Sequence, residues 1–168
     1  MKELKWCIEY LKRYNNITYD FKLPDLEALR ALENITMPDN LSDEFYDNQD
    51  KVLQEILKNK NIVDINNLSF NKDNIALYKG DITLINADAI VNAANEKLLG
   101  CFIPLHKCID NAIHSYAGLQ VRRDLLKVME KQKNDEEVGK AKITKAYNLP
   151  SKYIIHTVGP QVENIVTK

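Results

Sequence analysis

Apolar positions over residues 1–70 recur at helical spacing. Leu4, Ile8 and Leu11 predict a first helix, with Trp6 and Tyr10 beside the stripe. Pro24 opens a second, because its missing N–H costs nothing in a first turn, and Leu26, Leu29 and Leu32 then line one side. Ser42 is the expected N-cap of a third, in which Phe45, Gln49, Val52 or Leu53, and Ile56 or Leu57 keep the period. The Asn-rich stretch from Asn59 to Asn67 reads as a connector. Each helix has a single apolar stripe, so the three must pack on one another or on the remainder of the chain. We take residues 1–70 as an N-terminal helical unit that serves as a structural cap.

From residue 75 the pattern changes. Ile75–Tyr78 and Ala89–Val91 are short apolar runs of strand type, ending at Lys79-Gly80-Asp81 and at Asn92-Ala93-Ala94-Asn95. Residues 109–117 and 119–132 are predicted helices, with Ile109, Ile113 and Tyr116 on one face, Gly118 as the break, and Val121, Leu125 and Met129 continuing the stripe. Two more strands follow, Ile143–Asn148 and Tyr153–Val158. Their link, Leu149 to Lys152, is too short for a parallel crossover and predicts an antiparallel pair. The helical link from the second strand to the third is long enough for a right-handed crossover. The expected class is α/β, a mixed sheet flanked by helices over residues 71–168. Four strands with little cover on one face make a sheet that we expect to be incomplete at its C-terminal side.

Composition narrows the function. With Lys+Arg 23 against Asp+Glu 24 the net charge is -1, so the basic excess of a bulk nucleic-acid binder is absent. No apolar run approaches the ~20 residues that span a bilayer, and charges interrupt the first ten residues, unlike a signal-peptide core. These features predict a soluble cytoplasmic protein with neither a membrane nor nucleic acid as partner. The three cysteines do not form a disulfide framework.

Candidate chemistry gathers where predicted strands end, the place where open α/β sheets bind ligands. Asp81, after Gly80, can accept amino or amide hydrogens, or it can cap the turn Ile82-Thr83-Leu84. Asn92 and Asn95 suit a hydroxyl-rich ligand such as ribose, or they form turns. Gly100-Cys101-Phe102-Ile103-Pro104-Leu105-His106-Lys107-Cys108 is the sharpest feature, since Pro104 discourages helix and leaves a loop that can fold its ligands inward. Cys101, His106 and Cys108 then make a zinc site with an open fourth position, as in catalytic sites. His114 as a fourth ligand would make it structural, and two buried free thiols with an incidental histidine is the third alternative. Asp110 either stabilises a first helical turn or orients water or a ribose. Arg122, Arg123 and the Lys131 to Glu137 run are read as a solvated face and a loop.

Together, Leu77-Tyr78-Lys79-Gly80-Asp81-Ile82-Thr83, Ile90-Val91-Asn92-Ala93-Ala94-Asn95 and Leu98-Leu99-Gly100 resemble the macrodomain family of ADP-ribose binders. Gly139-Lys140-Ala141-Lys142-Ile143-Thr144 and Ile155-His156-Thr157-Val158-Gly159-Pro160 also fit. Cys101 to Cys108 followed by Ile109-Asp110-Asn111-Ala112-Ile113-His114 looks like the zinc-dependent branch, and Leu29-Arg30-Ala31-Leu32-Glu33-Asn34-Ile35 with Met37-Pro38 is similar to its helical extension. The resemblance implies zinc-dependent hydrolytic removal of mono-ADP-ribose from protein side chains. It implies that Asp81 and the Ile82 backbone hold adenine, that Asn92 and Asn95 face the distal ribose, and that the Gly100 loop passes the diphosphate. Cys101, His106 and Cys108 would hold Zn²⁺, with Asn95 and Asp110 as the candidate catalytic residues. A sirtuin-type ADP-ribosyltransferase and a lipoyl-carrier protein are the implied partners. The family's second phosphate loop lies on a strand beyond residue 168, so the alternatives are a reader of ADP-ribose without catalysis or an inactive fragment.

Overall fold

A computed structural model describes residues 1–160. Helices α1 (Lys2–Tyr14), α2 (Asp25–Ile35) and α3 (Asp43–Lys58) form as the periodicity predicts. Ser42 caps α3, its Oγ accepting from the Phe45 N–H at 3.2 Å. Leu4, Cys7, Ile8 and Leu11 of α1 pack on Leu29 and Leu32 of α2 and on Phe45 and Val52 of α3. Each such side chain contributes about 1.5–3 kcal/mol on burial. Leu119, from the second half of the chain, completes that core.

The expected connector carries some order. β1 (Val63–Asp64) pairs in parallel with β2 (Ile85–Asn86), and a 3-10 turn follows at Ile65–Asn67. The run Ile75–Tyr78 does not join a sheet, contrary to expectation, and Leu77 is 99% exposed. An apolar run becomes a strand only where another strand accepts its backbone bonds, and among the described residues this one meets none.

Among the described residues the main sheet has three strands, β3 (Ala89–Ala94), β4 (Ala141–Lys145) and β5 (Tyr153–Val158). β4 and β5 are antiparallel, as the short link requires. β5 lies in the middle and runs parallel to β3, in the order β3-β5-β4. Helices α4 (Ile109–Ala117) and α5 (Leu119–Gln132) break at Gly118, where φ is +99°. They cover one face of the sheet, where Ile90, Ile154 and Val158 meet Ile113, Val121 and Leu125. The alternation puts Val91, Ile143 and Tyr153 on the other face, all exposed. Residues 161–168, the end of the expected second unit, lie outside the described residues. Among the described residues no helix is long and apolar enough to cross a membrane.

Candidate active site

Because β3 and β5 are parallel, the loop after β3 leaves the sheet at the shared carboxyl edge. It turns at Gly100, where φ is +83°, and brings Cys101, His106 and Cys108 together. Their ligand atoms lie within 4.8 Å of one another, and Cys101 Sγ is 3.5 Å from His106 Nδ1. Zinc bonds of about 2.3 Å to sulfur and 2.0–2.1 Å to nitrogen place two tetrahedral ligands about 3.6 Å apart, so the donor set fits this ion. Cys108 also caps α4, accepting from the Asn111 N–H at 3.4 Å. Burial pushes its thiol up and the adjacent Cys101 adds to this, while that N–H pulls the other way. Two thiols held so close repel once ionised, and a divalent cation between them removes the repulsion.

His114 stands apart from the group. It is 5% exposed, and its ring packs so tightly under Gly100 that a Cβ there would lie 2.9 Å from it. Burial holds its imidazole well below the usual histidine range.

An open cleft of about 610 Å³, a size suited to a nucleotide, is lined by two of the three ligands, His106 and Cys108. Its walls are Gly80, Asp81 and Ile82 on one side, and Leu105, His106, Lys107 and Cys108 on another. Ile109 and Ala112 add the first turn of α4, and α2 contributes Glu27 and Arg30. Arg30 belongs to the stretch similar to the family's helical extension, but neither it nor Glu27 is a candidate site residue from sequence, and the packing of α2 brings both here. Asp81 both caps and faces the cleft. Its Oδ1 accepts from the Thr83 N–H at 2.9 Å and from Thr83 Oγ1 at 2.7 Å, and neither bond uses Oδ2.

The other expected site residues sit differently. Asn95 is exposed and tied to its own loop, Nδ2 donating to the Gly100 carbonyl at 3.2 Å and Oδ1 accepting from the Lys97 N–H at 3.0 Å. It does not line the cleft. Asn92 turns inward and is fully buried, because the pleat that exposes Val91 buries its neighbour. Its Nδ2 donates to Asp110 Oδ1 at 2.7 Å and lies 3.1 Å from His156 Nδ1. Those two contacts occupy both Nδ2 hydrogens, so His156 Nδ1 accepts and its Nε2–H points at Thr144 Oγ1, 3.0 Å away. Asp110 is 5% exposed, its Oδ1 3.5 Å from His114 Nε2, and burial raises its carboxyl above the usual range.

This buried chain carries a pH prediction. Burial holds His156 at about 4, against 6.5 for the free side chain. Below pH 6.5 the unfolded chain binds a proton that the folded chain refuses until about pH 4, so stability falls as the pH falls through that window. The loss from His156 is about 2 kcal/mol at pH 5. Glu33, fully buried and pushed up to about 8, works in the opposite sense, losing stability as the pH rises from 4.5 through 8. Urea unfolding at pH 7 and pH 5 should therefore show a smaller acid loss for His156→Gln than for the wild type.

A mixed α/β sheet with a nucleotide-sized cleft at its carboxyl edge defines the class. A family model described as Macro domain matches residues 91–167. A Staphylococcus aureus (strain MRSA252) protein named Protein-ADP-ribose hydrolase is 45% identical over 168 residues, covering 96% of this chain and 63% of that one. A Treponema medium protein of the same name is 41% identical over 171 residues, covering 96% and 66%. The crystal structure of the Trypanosoma brucei macrodomain in complex with ADP-ribose superposes with a TM-score of 0.51 at 29% identity, covering 77% of this chain and 59% of that one. Residues 91–167 of the chain belong to the macrodomain family. The chain spans 59–66% of the length of these relatives.

Proposed function

We propose that the chain is the part of a zinc-dependent protein-ADP-ribose hydrolase that holds the adenosine end and the metal, acting on mono-ADP-ribose attached to protein side chains. The observation that carries this is one cleft with Asp81 and Ile82 on one wall and His106 and Cys108 on another. Relatives named Protein-ADP-ribose hydrolase support the activity. The Cys101, His106, Cys108 donor set supports the metal. A sirtuin-type transferase and a lipoyl carrier as partners rest on family resemblance alone.

Asp81 Oδ2 accepts the adenine amino hydrogens, and the Ile82 backbone lies beside it to set the ring edge. The first turn of α4, at Ile109 and Ala112, faces the cleft with its positive helix end, which favours the diphosphate. Arg30 adds a guanidinium on the same cleft. Asn95 holds the Gly100 carbonyl and with it the approach to Cys101. Asp110, fixed by Asn92, supplies a carboxyl next to the ligand Cys108 rather than in the open cleft. Zinc, when bound by Cys101, His106 and Cys108, supplies a Lewis acid softened by two thiolates, suited to positioning an oxygen at the anomeric carbon.

Incubating mono-ADP-ribosylated protein with the chain, zinc-loaded or chelator-stripped, tests the proposal by the release of free ADP-ribose. Release that depends on zinc is the expected result. Tight binding of ADP-ribose with no release would identify a reader, and no binding at all an inactive fragment.

A further inference from the structure

The loop that carries the three metal ligands has little packing of its own. Phe102 and Ile103 are 38% and 60% exposed, and Leu105, next to the ligand His106, adopts a left-handed φ of +55°. An L-residue other than glycine holds that conformation only where its surroundings impose it. Pro104 and the His106 N–H donating to the Ile103 carbonyl at 3.2 Å set this turn locally, and a contact from the N-terminal helices holds it in place. Asn34, at the end of α2, is 1% exposed, and its Oδ1 accepts from the Leu105 N–H at 2.9 Å while its Nδ2 donates to Ser115 Oγ at 3.0 Å.

Arg122 makes a second tie. It is also 1% exposed and does not lie on a solvated face, contrary to what its charge suggested. Its Nη1 donates to the carbonyls of Glu33, Asn34 and Thr36 at 2.8, 3.0 and 2.7 Å. The end of a helix leaves such carbonyls without intrahelical partners. Its Nε donates to the Leu99 carbonyl at 2.6 Å, and its guanidinium lies 4.3 Å over the Phe102 ring. One buried cation thus joins the end of α2 to the start of the ligand loop.

We propose that α2 sets the conformation of the Cys101–Cys108 loop through Asn34 and Arg122, which are positioning residues for metal capture. This rests on the zinc reading of the three ligands. A loop that must first be ordered binds metal more weakly in proportion to the fraction of time it is ordered. The helical unit is therefore part of the metal site as well as a cap.

Zinc affinity of the full chain, measured by competition with a chromophoric chelator, tests the proposal. Asn34→Ala should weaken zinc binding about 10–100-fold, the usual effect of removing a partner that orients metal ligands. Asn34→Asp keeps an acceptor for Leu105 but loses the donor to Ser115, whose hydroxyl already donates to Asn111 Oδ1 at 3.3 Å, and it buries a carboxyl, so its zinc affinity should fall between those of wild type and Asn34→Ala. Leu29→Ala, in the same helix but pointing into the first core, should lower stability with zinc affinity unchanged. In metal-free protein, hydrogen exchange at Leu105 should quicken in Asn34→Ala and not in Leu29→Ala. Equal zinc affinity of wild type and Asn34→Ala overturns the proposal alone, as does an equal loss in Leu29→Ala. A wild-type chain that takes up no zinc overturns the metal reading and the proposal with it.

Discussion

Gly100→Ala is expected to destabilise the fold by about 3 kcal/mol, the sum of ~1–2 for a side chain at positive φ and ~1–3 for overpacking. The second contribution arises because the new Cβ would meet the buried His114 ring at 2.9 Å. Gly139 is the internal control. Its φ is +80°, close to the +83° of Gly100, but nothing lies within 4 Å of an added Cβ. Gly139→Ala should therefore cost only the backbone part, about 1–2 kcal/mol. Urea unfolding of the two variants separates steric from conformational cost. Equal losses would mean that the ring gives way, and that the approach to Cys101 is less tightly fixed than the packing indicates.

The second large effect concerns chemistry. Replacing Cys101 and Cys108 together by alanine should lower ADP-ribose release by about 10²–10³-fold, the scale seen when one electrostatic stabiliser is removed from a reacting centre. Both side chains are only partly buried and belong to neither hydrophobic core, so in chelator the double variant should lose only the α4 cap that Cys108 provides, about 0.5–2 kcal/mol. Release that persists unchanged would move the chemistry to other groups around the cleft.

Much of the scaffold could be read from periodicity. The three N-terminal helices, the Ser42 cap and the Gly118 break all follow from local spacing and local backbone chemistry, and each appears where expected. The antiparallel pair β4 and β5 follows from a link too short for anything else. Pairing and facing needed the third dimension. Nothing local says that β5 lies between β3 and β4, or that Ile75–Tyr78 meets no strand among the described residues.

The site shows the same division. The ligand loop was legible because Cys, His and Cys fall within eight residues around a proline. Asn92 was harder, because facing the cleft and facing the core differ by one step of the pleat. Arg122 is buried although its charge alone suggests solvent. Its phase argued otherwise, three residues after Leu119 and three before Leu125, both buried. Glu27 and Arg30 reach the cleft from α2 through packing that no spacing rule encodes.

Metal content decides the matter most directly. Elemental analysis of the chain purified without added metal should find about one zinc per polypeptide, held by the single three-residue cluster found among the described residues. The Cys101→Ala/Cys108→Ala chain, purified in parallel, should carry none. A wild-type chain without bound metal, or a double variant that keeps it, would contradict the assignment of Cys101, His106 and Cys108 as the zinc ligands.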